Sequence, residues 1–185
     1  MQYHADINPL NAEKIGTAAH GYVDFEITGD NLHIKLEMFD TPANIAHWEH
    51  FHGFPDGREA TVPTTKEDQN QDGWIDLVET EPVSGTTMVP LDGAPHKMDI
   101  PNDTYPVADE QGHYYYEKDV PYQALLDQFK QVFNDDDLHL DQRVVYVHGV
   151  PDELSLPETV AGKISDKYDQ HVTLPIAAGK IEKVD

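Results

Sequence analysis

The chain lacks cysteine, is poor in basic residues and contains no long apolar run. Without cysteine it forms no disulfide and no thiolate metal site, so nitrogen and oxygen atoms must hold any bound metal. Its 12 Lys and Arg against 35 Asp and Glu give a net charge of −23, which repels nucleic-acid phosphates and anionic membranes. No segment approaches the roughly 20 apolar residues of a membrane-spanning helix. We therefore expect no nucleic-acid partner and no membrane insertion.

Targeting signals are also missing from the start of the chain. Residues 1–20 lack the basic beginning and the apolar block of a signal peptide. We expect the protein to act outside the cytoplasm or at the cell surface, and the sequence leaves open whether a leader was removed. The sequence leaves the oligomeric state open, a homodimer included.

The most informative stretch of the chain is an acidic segment with the spacing of an EF-hand calcium loop. Oxygen ligands fall at loop positions 1, 3, 5, 9 and 12, and position 7 offers a backbone carbonyl. Gly73 stands at position 6, where the chain must turn sharply. The predicted calcium ligands, in order, are Asp68, Asn70, Asp72, the carbonyl of Trp74, Asp76 and Glu79.

The alternative interpretation of this segment is a solvated acidic loop, because carboxylates are abundant in so acidic a chain. The glycine, the apolar Ile75 and the terminal glutamate in register favour calcium. Pro63 and Pro82 bound the segment closely and leave no room for an amphipathic helix pair. A structural calcium ion is therefore predicted, and not a signalling switch.

Alternating apolar and polar residues predict a mainly β protein. Residues 19–27 and 32–38 form a predicted hairpin around the turn Thr28-Gly29-Asp30-Asn31. Further strands are predicted at 45–52, 143–148, 171–176 and 180–184. The Gly- and Pro-rich stretch 53–102 is predicted to be an elaborated loop that carries the calcium site.

One amphipathic helix is predicted at 121–134, beginning at Pro121. Its apolar face comprises Tyr122, Leu125, Leu126, Phe129, Val132 and Phe133. At 185 residues the chain fits a single domain, 1–185. The predicted fold is an antiparallel β-sandwich or flattened Greek-key barrel with long loops and this one helix.

A histidine cluster provides the second chemical signal. On an extended strand His50 and His52 point to the same side and can bind one metal ion, while His47 points to the other side. His148 ends an apolar run and could join them from another strand. Histidine is frequent here, with 11 in all, so three in six residues could also arise on a polar strand face. Metal binding needs neutral imidazoles, so the affinity is predicted to fall as the pH drops through about 6.5.

At these histidines the chain resembles the copper/zinc superoxide dismutase family. The family's motif of a histidine, two residues, then His-x-His looks like His47, His50 and His52. Its later Val-Val-His segment looks like Val145-Tyr-Val-His148, and its closing strand looks like 176–181. The resemblance implies a Greek-key fold with His50, His52 and His148 as copper ligands and His47 fixing the site from behind.

The chain also departs from that family. The family's bridging histidine follows a Gly-Pro dipeptide, and the nearest match here is Ala94-Pro95-His96, which makes His96 a candidate fourth ligand. For the family's zinc site, His113 falls at a suitable distance, with Asp99, Asp103 and Asp109 as candidate carboxylates. The position of the family's cysteine holds Ala178, and Pro175 replaces the arginine that guides superoxide. Another basic residue could supply the positive charge of that arginine, and the candidates are Arg58, Arg143 and Lys180.

Three functions fit these observations. The protein could be a weak copper-dependent superoxide dismutase, with copper cycling between two oxidation states. It could hold copper or zinc without turnover, stabilised by calcium. It could instead be a non-catalytic surface or interaction domain whose loops calcium orders. We favour a metal-binding, superoxide dismutase-like protein whose expected partners are metal ions.

Overall fold

The computed structural model describes residues 1–184, which form a mainly β fold around a curled antiparallel sheet. The strands are β1 (Gln2–Pro9), β2 (His20–Thr28), β3 (Asn31–Phe39), β4 (Glu49–Gly53), β5 (Thr86–Pro90), β6 (Tyr114–Pro121), β7 (Val144–His148), β8 (Pro175–Lys180) and β9 (Glu182–Lys183). The helices are α1 (Ala12–Ile15), α2 (Leu77–Ser84), α3 (Tyr122–Phe133) and α4 (Gln170–Thr173). Short 3-10 turns span Thr65–Glu67, Pro95–Lys97 and Leu140–Gln142. The predicted mainly β class is thereby confirmed.

The strand order in the sheet is β5-β4-β7-β8-β1-β2-β3-β6, and β9 pairs with β1. Phe25 on β2 meets Phe51 on β4 edge to face, with 6.4 Å between the ring centroids. These strands are far apart in the order, so their contact shows that the sheet curls around a shared core. A Greek key through β4, β5 and β6 requires β5 and β6 to pair, but in the described chain they are the two edges of the sheet. The Greek-key type stays a prediction.

The predicted hairpin is confirmed as β2 and β3. Its alternating residues Val23 and Phe25 pair with Leu36 and Ile34 on the neighbouring strand, and all four are buried. Burying one face of a strand fixes its register, because a shift by one residue would expose the whole apolar set.

The predicted helix is confirmed as α3, which begins after Pro121 and is capped at its C-terminus by Asn134 in a left-handed conformation. Leu125 and Phe129 are fully buried in the core. Val132 was wrongly placed on the apolar face, because 53% of its surface is exposed.

Several other boundaries differ from the predictions. The stretch 53–102 contains α2 and β5 as well as loops, and the strand predicted at 45–52 begins only at Glu49. Residues Gln170–Thr173 are helical, so the strand predicted at 171–176 begins at Pro175. The segment 180–184 yields only the short β9, and β8 pairs with β7 and β1 instead. Within residues 1–184, no helix combines the length and apolar character needed to cross a membrane.

Candidate metal centre

Adjacent strands bring His50, His52 and His148 together, as predicted. β4 lies beside β7, with His50 paired to Tyr146 and His52 to Val144, and the backbone N–H of His148 donates to the carbonyl of Trp48 at 2.8 Å. Each of the three rings offers one nitrogen, and these nitrogens lie within 4.8 Å of one another. All three side chains are buried. The cluster can therefore surround a single ion.

Two of these histidines, His50 and His148, are oriented by a hydrogen bond at one ring nitrogen, which leaves the other nitrogen of the ring free for a metal. Tyr105 donates its hydroxyl proton to the carbonyl of Ile100 at 2.7 Å, so it accepts from His50 Nε2 at 2.9 Å. His148 Nδ1 lies 2.8 Å from the carbonyl oxygen of Thr173 and must donate to it. The contact of His52 is looser, with 3.5 Å between Nε2 and Thr87 Oγ1. A neutral ring that donates from one nitrogen carries a lone pair on the other.

One nitrogen on each of the three rings has no hydrogen-bond partner. Among residues 1–184, His50 Nδ1, His52 Nδ1 and His148 Nε2 are buried and make no hydrogen bond. Leaving one such polar atom unsatisfied costs about 1–3 kcal/mol. His50 Nδ1 and His148 Nε2 carry lone pairs and offer no donor to each other, whereas a cation could bind them together with the neighbouring nitrogen of His52. This donor set fits a transition metal.

Burial also sets the protonation state of the cluster. It lowers the pKa of His50 and His52 well below the usual value, with the neighbouring histidines adding to the effect. Burial lowers the pKa of His148 to about 4. The rings are therefore neutral at physiological pH, which is the form that binds metals.

A cavity of about 30 Å³ adjoins His50 and His148. That is enough space for about one water molecule. Its walls also include Trp48, Leu77, Thr87, Ile100, Ile164 and Thr173. An ion at the histidines could keep one small exchangeable ligand there. Larger molecules would have to displace the residues that form these walls, which we call the cover.

His47 lies just before β4 and contacts the backbone of His148. Its Nδ1 lies 2.9 Å from the backbone carbonyl of His148, and its Nε2 lies 2.8 Å from that of Pro42. Burial lowers the pKa of His47, so the neutral ring donates to one of these carbonyls. Its ring stacks on Tyr114 at 5.6 Å. The predicted role of His47 in holding the metal ligands in place stays a prediction.

The structure does not bring His96 to the cluster. This residue lies in the 3-10 turn Pro95–Lys97, which packs against α3, and its nitrogens are outside the group formed by the three buried histidines. The zinc candidates are also separated from it. His113 Nε2 contacts Glu37 at 2.6 Å, and Asp103 pairs with Lys167 at 2.6 Å. These alternative partners leave no assembled second histidine site around His113 in residues 1–184.

The acidic loop 68–79 folds around its predicted ligands. Carboxylate oxygens of Asp68, Asp72 and Glu79 lie within 4.8 Å of one another. Asp68 accepts from the backbone N–H groups of Asp72 at 3.2 Å and Gly73 at 2.9 Å, and Gly73 has a φ of +85°. Asn70 accepts from Asp72 at 3.2 Å. These contacts turn the side-chain oxygens toward the inside of the loop.

Asp76 and Glu79 close the loop and also begin α2. Asp76 Oδ1 accepts from the N–H of Glu79, and Glu79 Oε1 accepts from the N–H of Asp76, which together form a capping box. The other oxygen of Asp76 accepts from Ala161 at 2.9 Å. Asp76 is outside the group formed by the oxygens of Asp68, Asp72 and Glu79, so it would reach a calcium ion through water, as position 9 often does.

The helix that follows the loop was missed. The interpretation that Pro82 bounds the loop was wrong, because α2 runs through Pro82 to Ser84. The buried residues of α2 are Glu79, Thr80 and Ser84, and none of them is apolar. The expectation of no amphipathic helix pair around the loop therefore agrees with the structure.

The basic residues named as substitutes for the guiding arginine are all engaged elsewhere. Arg143 is buried and donates to the carbonyls of Leu138 at 2.8 Å and Phe54 at 3.3 Å. Arg58 pairs with Asp56 at 2.8 Å, and Lys180 pairs with Glu59 at 3.0 Å. Pro175 is buried at the start of β8 and brings no charge to the cluster.

Sequence reasoning missed the residues that hold the histidines in place. Tyr105 and Thr173 orient two of the rings, and the ring of Tyr146 packs on His52 with 4.5 Å between centroids. Tyr146 could have been found, because it lies two residues before His148 on the same face of β7. Tyr105 and Thr173 lie in other segments, and their spacing carries no signal. Comparison with protein-family models and with curated proteins finds no match to this chain.

Proposed function

We propose that this protein is a metal-binding, superoxide dismutase-like protein that holds one copper or zinc ion at His50, His52 and His148. A calcium ion in loop 68–79 would stabilise the same domain. The observation that carries the proposal is that three buried histidines bring ring nitrogens within 4.8 Å of one another and each leave one ring nitrogen without a hydrogen-bond partner in the described chain. Buried polar atoms of this kind call for an explanation, and a shared metal ion supplies one.

The donor set narrows the choice of metal. Three imidazoles without thiolate suit copper or zinc, and copper(II) binds most tightly among the divalent first-row metals. The resemblance at His47, His50 and His52 favours copper. The experiment that tests this function is elemental analysis of protein purified without added metal. Copper near one atom per chain supports the assignment, whereas calcium alone favours the alternative of a calcium-stabilised interaction domain.

Copper would supply one-electron chemistry, and the protein side chains would orient and enclose it. The cover over the histidines and the lack of a free basic side chain among the candidates both disfavour rapid reaction with an anion. Electrostatic steering changes association rates by about 10–10³-fold, and a net charge of −23 opposes it here.

We therefore expect copper-loaded protein to dismutate superoxide far more slowly than diffusion allows. The rate should not fall with added salt, because no attractive field is present to screen. The measurement compares wild-type protein with a His50→Ala variant as background over a range of salt concentrations. Turnover near the diffusion limit that slows with salt would refute this expectation.

The pH dependence of metal affinity follows from the lowered pKa values. The sequence alone predicts a loss of affinity through about pH 6.5, the ordinary histidine pKa. Burial places the pKa of His148 at about 4, so protons begin to compete with the metal only as the pH approaches that value. We expect copper affinity, measured against a competing chelator and corrected for the chelator's own protonation, to stay nearly constant from pH ~7.5 to ~5.5. A steep fall between about pH 7 and 6 would contradict it.

A further inference from the structure

The cover of the histidine cluster includes a segment that is tied to the acidic loop. Ile164 and Thr173, which line the cavity beside His50 and His148, both lie in the connection between β7 and β8. The same connection contains residues 159–162, which contact loop 68–79 directly. A change in the conformation of loop 68–79 can therefore alter the position of the cover residues through direct contacts.

Three hydrogen bonds fasten residues 159–162 to the loop. Thr159 donates its hydroxyl to Asp72 Oδ2 at 2.7 Å, and Asn70 donates its side-chain amide to the carbonyl of Thr159 at 3.2 Å. The N–H of Ala161 donates to Asp76 Oδ2 at 2.9 Å. The loop residues in these bonds are all predicted calcium ligands. If calcium binding holds these loop residues in place, their hydrogen bonds should hold residues 159–162 in place as well.

Thr173 connects residues 159–162 to His148, one of the proposed metal ligands. Thr173 donates its hydroxyl to the carbonyl of Gly162 at 2.9 Å, and its own carbonyl accepts from His148 Nδ1 at 2.8 Å. A Cβ on Gly162 would lie only 2.6 Å from Thr173 Oγ1, so Gly162 packs directly against the side chain of Thr173. Movement of residues 159–162 would therefore disturb the bond that directs His148 Nε2 at the cluster.

Asn11 provides a second link between the loop and the cluster. Its side chain accepts from the N–H of Ile75 and donates to the carbonyls of Ile75 and Pro175, each at 2.9 Å. Ile75 is the eighth residue of the loop, and Pro175 pairs with His148 between β8 and β7. Asn11 has a φ of +57°, a conformation that glycine also adopts readily. Its side chain can therefore be removed without straining the backbone.

We propose that calcium in loop 68–79 closes the cover over the histidine cluster and fixes His148 for metal binding. This inference rests on the proposed function, because it assigns a regulatory role to the calcium site. Coupling of this kind is reciprocal, so each metal should raise the affinity for the other by the same factor. We expect a factor of about tenfold, within the usual range of coupling between two sites.

The test measures access to His148 in protein free of transition metal. Diethyl pyrocarbonate acylates accessible imidazoles, and peptide mass spectrometry gives the rate at each histidine. Calcium should slow the modification of His148 about tenfold relative to protein treated with a calcium chelator. His139, which is paired with Asp135 at the surface, should react at the same rate in both states.

Two variants test the path. Asn11→Gly and Thr159→Val should each still bind calcium in calorimetry but lose most of the protection at His148. Asn134→Gly is the matched control, because Asn134 also has a positive φ, of +55°, but caps the C-terminus of α3, and its backbone N–H donates to Lys130 within that helix. The variant should behave as wild type.

A His148 rate that is independent of calcium would overturn the inference, and so would a loop that binds no calcium. Full protection in both Asn11→Gly and Thr159→Val would overturn the proposed path. Copper titration is run separately on the same samples. If copper fails to bind while calcium still protects His148, the transition-metal assignment falls and the coupling between loop and cover stands.

Discussion

Replacing His148 by alanine is expected to lower the affinity for copper or zinc more than about 100-fold. Changes in residues that merely orient metal ligands typically cost 10–100-fold, and loss of one ligand out of three should cost more. His148 lies far from His50 and His52 in sequence, and only the pairing of β4 with β7 unites them. Competition with a chelator of known affinity measures the effect.

The control for this variant is His139→Ala. His139 is a partly exposed histidine whose Nε2 lies 3.2 Å from Asp135, and it is outside the group formed by His50, His52 and His148. The His139→Ala variant should have a copper affinity within about twofold of wild type. Circular dichroism and thermal unfolding should show that both variants keep the fold. Equal copper affinity in wild type and a folded His148→Ala variant would show that the three histidines do not form a site.

Removing calcium is expected to lower the thermal stability of the domain. A ligand that binds only the folded state at about 100 times its dissociation constant contributes about 2.7 kcal/mol. For a chain of this length each kcal/mol shifts the melting temperature by roughly 2–4 °C, so chelation should lower it by about 5–10 °C. Limited proteolysis of residues 53–102 should accelerate at the same time. If chelation changes neither quantity, the structural role of the loop is wrong.

Glu79→Gln separates calcium binding from the local fold of the loop. Glutamine can still accept the hydrogen bond of the capping box but lacks the anionic carboxylate that closes a calcium shell. We expect weaker calcium binding and a melting temperature that no longer responds to chelation. Glu81→Gln changes the charge of α2 by the same amount at an exposed side chain outside the loop, and it should respond to calcium as wild type does.

The parts of the fold that the sequence predicted are those with strong local patterns. The hairpin of β2 and β3 and the helix α3 each bury one regular face, so periodicity alone identifies them. The strand β1 has the same kind of signal, because Tyr3, Ala5 and Ile7 alternate and are buried, and it could have been found.

The missed helix α2 shows how two local signals can conflict. The pair Asp76 and Glu79 has the spacing of a capping box, which marks a helix start, but Pro82 was interpreted as a boundary. The same two residues are also predicted calcium ligands, so one spacing carries two signals. Contacts with the connection between β7 and β8 support the helix, and no local pattern contains that information.

For the candidate metal centre, the sequence predicted the histidines but not their surroundings. His50, His52 and His148 follow from strand alternation and from the resemblance. His96 was wrongly included because spacing in a long connection does not determine where a turn packs. The contacts of Tyr105 and Thr173 depend on how two long segments fold back over the sheet. Such tertiary contacts produce no periodic pattern in a single sequence, so pattern analysis cannot predict them.

X-ray absorption spectroscopy of copper-loaded protein tests the central claim most directly, because it counts the imidazole ligands of the metal. We expect one copper per chain with three imidazole nitrogens and at most one further light ligand, which the cavity of about 30 Å³ can hold. Replacing all three of His50, His52 and His148 by alanine should abolish this signal. Copper bound mainly by oxygen, or the same spectrum in the triple variant, would contradict the claim.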